Sequence, residues 1–262
     1  MNIWVPDYYK DFHCIASRCR HTCCAGWEIE IDEESLERYR SFPGAMGERV
    51  RESISMEGEN PHFILTQDER CPLLNENGLC DLFTVCGEES LCQICTDHPR
   101  FRNFFTERVE IGLGMVCEEA ARLILSRPEP MKLVLLSGTG KGRMPEDELQ
   151  LLAMREKLFE QVPEMAGNGP EARLMEYLIF RHIADALYDD RMEERIEFIK
   201  SAWDHITAGG RALPFDELAE RCRVFSDRVE YDDEVLSQLA VPDDLFCVQK
   251  TGPVCLQKTA LI

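Results

Sequence analysis

The sequence predicts a mainly α protein, in which an irregular cysteine-rich metal-binding N-terminal module is followed by a helical bundle. Two observations predict this. Ten of the 13 cysteines fall within the first 117 residues, and residues 145 to 225 repeat apolar side chains at helical spacing. Crowded thiolates repel one another and lose solvation unless a soft metal or an iron–sulfur centre neutralises them, so the clustering points to such a centre. Pro128-Glu129-Pro130 marks a boundary, giving residues 1–127 as the cysteine-rich module and 131–262 as the helical domain.

Composition narrows the class. With 262 residues, 44% of them hydrophobic and 30% charged, the chain reads as a soluble globular protein. A formal charge of -20 repels polyanions, which argues against nonspecific nucleic-acid binding. The start, MNIWVPDYYKDF, lacks the charged and apolar regions of a signal peptide. No run approaches the roughly 18 apolar residues of a membrane span, so no membrane insertion is expected. The expected location is cytoplasmic. Reducing conditions there disfavour disulfides, and dense cysteine then implies metal or redox chemistry.

Residues 1–12 show no helical period. Trp4, Tyr8, Tyr9 and Phe12 offer broad faces, suited to covering a metal site or to holding a cation in a cleft. Cys14-x4-Cys19-x3-Cys23-Cys24 follows, flanked by His13 and His21 as outer donors. Trp27 to Asp32 alternates apolar and acidic residues, the pattern of a half-buried strand. Asp32 is placed to cap a helix running to about Arg40. A short amphipathic helix is expected over 45–56 and an edge strand at Phe63 to Leu65. Cys71 and Cys80 then stand on either side of a turn at Asn75 to Gly78.

Cys92-Gln93-Ile94-Cys95 is the strongest local pair, read as two sulfurs on one ion or as a thioredoxin-like redox pair. Eight thiolates suit two zinc ions, whereas a cubane iron–sulfur cluster needs four, and spacing leaves both open. No Cx3Cx2C run is present, so radical chemistry is not inferred. The stretch from Glu110 is expected to enter a helix ending near Leu125. Gly138-Thr139-Gly140-Lys141-Gly142 has neither GxGxxG spacing nor a Walker lysine–serine pair, and reads as a loop.

In the second half, helices are expected over 145–160, 171–188, 192–206 and 215–225. The clearest period is Met192, Ile196, Ile199, Trp203 and Ile206. Sequential helices of this kind imply a bundle. Val241 to Ile262, with Cys247 and Cys255, has no sustained period and reads as an incomplete C-terminal end.

Several segments together resemble the flagellin lysine-N-methylase family. They are VPDYY at 5–9, the Cys14–Cys24 knot, GWEI at 26–29, RCPLLNENGLC at 70–80, ESLCQICTDHPRFRNFF at 89–105 and GLGMVCEEAARLIL at 112–125. The CPLL…LC element is also similar to small zinc- or iron-chelating cysteine-rich proteins. The resemblance implies transfer of a methyl group from S-adenosylmethionine to lysine side chains of flagellin, with an iron–sulfur cluster, 4Fe-4S in type, or zinc as the alternative. It assigns Cys14, Cys19, Cys23, Cys24, Cys71, Cys80, Cys92, Cys95 and Cys117 to the pool of ligands or supports.

Methyl transfer needs a neutral lysine amine, although a free lysine titrates at about 10.4, so a proton must leave before or during attack. Tyr8, Tyr9, Asp97 and His98 are the candidate catalytic residues. Arg100 and Arg102 are the candidates for cofactor binding, because a guanidinium fork matches a carboxylate; compensation of the thiolate charge is the other reading. A noncatalytic metal-containing interaction module and an iron–sulfur redox protein are the alternatives to the enzyme.

Overall fold

The computed structural model describes residues 1–210, 213–242 and 244–246. Its strands are β1 (Asn2–Pro6), β2 (Ile54–Ser55), β3 (His62–Phe63), β4 (Arg100–Phe104), β5 (Arg108–Leu113) and β6 (Leu133–Ser137). Its helices in the first half are α1 (Glu33–Ser41), α2 (Gly44–Glu52), α3 (Asp81–Cys86), α4 (Gln93–Asp97) and α5 (Glu118–Leu125). Those in the second half are α6 (Glu146–Ala166), α7 (Pro170–His182), α8 (Ala186–Asp189), α9 (Met192–Ile206), α10 (Phe215–Phe225) and α11 (Asp233–Ser237). The chain is predominantly helical, as expected, but it also holds a mixed β-sheet. The described residues form two compact units, one of Met1–Cys14 with the chain from Pro99 onward, the other of residues 15–98.

The first unit is built on a four-stranded sheet of order β4-β5-β1-β6. β1 is one of the two inner strands, parallel to β5 and antiparallel to β6. It occupies residues whose sequence shows no helical period, and its pairing with β5 joins residues about a hundred positions apart. β4 and β5 form a hairpin in which Arg100 faces Leu113 and Phe104 faces Val109. The expected helix from Glu110 is therefore a strand as far as Leu113, and helix begins at Glu118.

Asn2 ties the 138–142 loop to the sheet. Its Oδ1 accepts from the Thr139 and Gly140 N–H groups at 3.1 and 2.9 Å, and its Nδ2 donates to Lys141 O at 2.9 Å. Gly138 is required there: its φ is +108°, and an added Cβ would lie 2.6 Å from Asn2 Oδ1. The helices supply the other layer of this unit. Phe101 of β4 packs on Tyr177 and Phe180 of α7, and Asn103 Nδ2 donates to Phe180 O at 3.0 Å. α9 forms as expected, but its buried side is turned from the expected face. Phe198, Ile199, Ala202 and Ile206 are buried in the same core as Leu174, Leu178 and Phe225, while Met192, Ile196 and Trp203 pack against it only partly buried.

The second unit has a small core of its own, made by Trp27, Ile29, Ile31, Leu36, Tyr39, Val50, Phe63, Leu73 and Leu82 with Cys71 and Cys92. Trp27, Ile29 and Ile31 are buried as the alternation requires, yet this stretch forms only isolated bridges, Ala25 with Arg70 and Glu30 with His62. Asp32 caps α1 through Ser35 N at 2.9 Å, as expected, and its other oxygen accepts from Gln93 N at 2.8 Å. One carboxylate thus fixes the starts of α1 and α4. Arg49 bonds Asp81 at 2.5 Å and Pro72 O at 2.7 Å, closing the Asn75 turn against α2. Cys247, Cys255 and most of the expected aperiodic end lie outside the described residues.

Candidate functional site

In the first unit, a short 3-10 turn at Tyr9–Asp11 sets Tyr9 and Phe12 beside Arg100 of β4. Arg100 Nε donates to Tyr9 Oη at 2.8 Å. Its guanidinium carbon lies 5.6 Å from the Tyr9 ring centre and 5.7 Å from that of Phe12. Two aromatic faces therefore hold one cation, the arrangement that ring quadrupoles favour. Of the two arginines expected to bind a carboxylate, Arg100 has Nε directed at Tyr9, while Arg102 is exposed two residues further along β4.

Tyr8 is placed differently from Tyr9. Its side chain is buried, Arg127 lies 5.2 Å above its ring, and its hydroxyl meets Met131 Sδ at 3.9 Å. Burial pushes its phenol well above the usual tyrosine range. Arg127 pairs with Asp7 at 2.6 Å. Beside them Glu176 accepts from Met131 N at 3.0 Å and pairs with Arg173 at 2.8 Å, while burial pushes its carboxyl up. An open depression of about 660 Å³, lined by Thr106, Gly142, Met144, Pro145 and Leu149 among others, contains none of the candidate catalytic, cofactor or metal residues.

A second polar centre, missed in the sequence, lies deeper. Glu230 closes a π-helical turn at Ser226–Glu230 and is fully buried. Its carboxylate accepts from Tyr177 Oη at 2.6 Å, Ser226 Oγ at 2.5 Å, His182 Nε2 at 2.9 Å and Arg181 Nε at 3.2 Å. Burial alone would raise its carboxyl, but Arg181, His182 and Ser226 outweigh it and hold it down at about 2. Tyr177 Oη also accepts from Met115 N at 3.2 Å, linking this centre to the turn before α5. No motif spacing announces it, because three of its donors come from α7 and the carboxylate from some fifty positions later.

In the second unit, Cys92 and Cys95 stand 3.5 Å apart, one thiol donating to the other. Cys23 is exposed and shares a hydrogen bond with its neighbour Cys24, which pushes its thiol far up. Burial pushes Cys71 to about 11 and raises Cys80 as well. The thiols lie near enough to influence one another, Cys24 and Cys71 both adding to the rise at Cys95. Cys14 and Cys117 belong to the other unit. Asp97 ends α4, and His98 caps it through its N–H to Ile94 O at 3.1 Å.

These placements correct the expected cofactor. Among the described residues, no three His, Cys, Asp or Glu side chains are grouped so as to hold a metal ion. The expectation of an iron–sulfur cluster, or of zinc, on Cys14, Cys19, Cys23, Cys24, Cys71, Cys80, Cys92, Cys95 and Cys117 is overturned, and with it the metal-binding character of an N-terminal module. The physical reason lies in protonation. Clustered sulfurs repel as thiolates, but burial raises Cys71 and Cys80, and where a proton is kept, as on Cys95 beside a lowered Cys92, neighbouring sulfurs pack together without an ion. No helix among the described residues is long and apolar enough to cross a membrane.

Comparison with known proteins gives a distant and partial likeness. Over 134 residues, 49% of this chain, it is 27% identical to a lysine-N-methylase of Salmonella choleraesuis (strain SC-B67) and, to the same degree, to that of Salmonella typhimurium (strain LT2). The match covers 33% of each, so the chain spans only part of these curated relatives. It is also 27% identical over 134 residues to the flagellar biosynthetic protein FliU of Salmonella muenchen, covering 79% of that protein. No family profile and no solved structure matches the chain.

Proposed function

We propose that this chain is a protein-lysine N-methyltransferase that takes its methyl group from S-adenosylmethionine and acts on flagellin. The observation that carries this reading is the 134-residue likeness to two lysine-N-methylases, together with the likeness to a flagellar biosynthetic protein. In the reaction the lysine nitrogen lone pair attacks the methyl carbon, the carbon–sulfur bond breaks, and its electron pair stays on sulfur as a thioether. The amine proton passes to a base or to water.

Arg100 supports this reading, because the Tyr9 and Phe12 rings hold its guanidinium in place. Arg100 and Arg102 are the proposed partners of the donor's carboxylate, to which guanidinium geometry is suited. Tritium-labelled methyl donor, incubated with the purified chain and a panel of acceptor proteins, tests the activity. Label on flagellin lysine, dependent on the chain, supports the proposal; label on no acceptor refutes it.

A further inference from the structure

With no metal group formed by the described thiols, the CxxC pair at the start of α4 is left without a role. Cys92 and Cys95 stand one helical turn apart with their sulfurs 3.5 Å from each other. A disulfide bond measures about 2.05 Å, and residues one helical turn apart have Cα atoms within bridging range, so rotation of the side chains suffices to close it. The other touching pair, Cys23 and Cys24, is unsuited to this, because bonding adjacent residues closes a small ring through their own peptide and twists it from planarity. Cys92 is only 1% exposed, whereas Cys95 is half-buried. Bulky disulfides are kept from Cys92, but a molecule as small as hydrogen peroxide needs little room beside Cys95.

We propose that Cys92 and Cys95 are an oxidisable dithiol, closed to an intramolecular disulfide by hydroperoxides. In the first step one sulfur attacks a peroxide oxygen, the oxygen–oxygen bond breaks, and hydroxide leaves with the thiol proton as water. This leaves a sulfenic acid. The partner sulfur then attacks the sulfenic sulfur, the sulfur–oxygen bond breaks, and a second water carries away the partner's proton. Two thiols together give up two electrons, and hydrogen peroxide is reduced to two waters. The site is a modification site independent of methyl transfer.

The test is peroxide titration of the reduced full-length chain, followed by alkylation under denaturing conditions and mass spectrometry. Trypsin with a glutamate-specific protease isolates residues 90–100, which contain Cys92 and Cys95 and no other cysteine. The expected product is this peptide, unalkylated and about 2 Da lighter than the dithiol, restored by dithiothreitol. It should form at lower peroxide than is needed to oxidise exposed Cys14. In Cys92→Ser, dimedone should capture a sulfenic acid on the more accessible Cys95 under a peroxide dose that yields disulfide in the parent chain. Two outcomes overturn the proposal: a peptide that stays doubly alkylated after Cys14 is oxidised, or one that gains oxygen without ever losing the two hydrogens. Pairing of Cys92 with any other cysteine overturns it too.

Discussion

Arg155 meets Glu110 through both guanidinium nitrogens, at 2.6 and 2.7 Å, and both side chains are buried. Arg108 touches the same carboxylate from the neighbouring strand position, so one acid faces two cations beneath the sheet. Removing Arg155 leaves the fully buried Glu110 with Arg108 alone. Arg155→Ala is expected to destabilise the first unit by about 3–5 kcal/mol. Arg155→Met with Glu110→Leu should recover only part of that loss, because the apolar pair removes the mismatched charges but leaves Arg108 without its carboxylate. Denaturant unfolding of the three chains checks both statements.

Glu230 sets the acid limit of the first unit. Its folded carboxyl titrates at about 2, below the ordinary glutamate value, so the unfolded chain binds the extra proton between the two. Its contribution is fully present above the unfolded value and is lost as pH falls from about 4 toward 2. The amount is on the order of 3 kcal/mol. Urea midpoints measured across this range should fall steeply in the parent chain, and Glu230→Gln should flatten that limb while lowering stability at neutral pH.

The helices of the second half were legible because each carries its own period. Met192, Ile196, Ile199, Trp203 and Ile206 share a face whatever lies opposite, and the structure forms α9 across that span. The Asp32 cap was legible for the same local reason. The sheet was not. β1 is five residues long and finds its parallel partner at Arg108–Glu110, a non-local pairing that no single window contains. The expected boundary at residues 128–130 follows composition along the chain, whereas the two compact units interleave, with residues 1–14 grouping with the chain after Pro99. At the candidate site, Tyr9 and Arg100 were each named, but their contact depends on that interleaving. The thiol clustering was legible; the raised thiols that let it persist without an ion depend on burial, which spacing does not reveal.

Asp32 serves two helix starts, so its loss should exceed that of an ordinary cap. Asp32→Ala is expected to cost about 1–2 kcal/mol, and Asp32→Asn less, since the amide oxygen still accepts from Ser35 N or Gln93 N. Hydrogen exchange at Ser35 and Gln93 should rise together in the alanine variant.

Gly112 lies against the Phe101 ring, and an added Cβ would come within 2.2 Å of it. The ring cannot swing away easily, because Arg181 lies 4.4 Å over it and Phe180 packs 5.7 Å from it. Gly112→Ala should therefore destabilise the β4–β5 hairpin by about 1–3 kcal/mol. Phe101→Leu in the same chain, by relieving the clash, should return part of the loss in thermal melting.

The central claim is methyl transfer to lysine, and intact-mass analysis of flagellin tests it most directly. Flagellin incubated with the chain and S-adenosylmethionine should gain increments of about 14 Da that fragment spectra place on lysine, fewer with Arg100→Ala at low donor concentration. Flagellin of unchanged mass after incubation with folded chain and saturating donor would contradict the account.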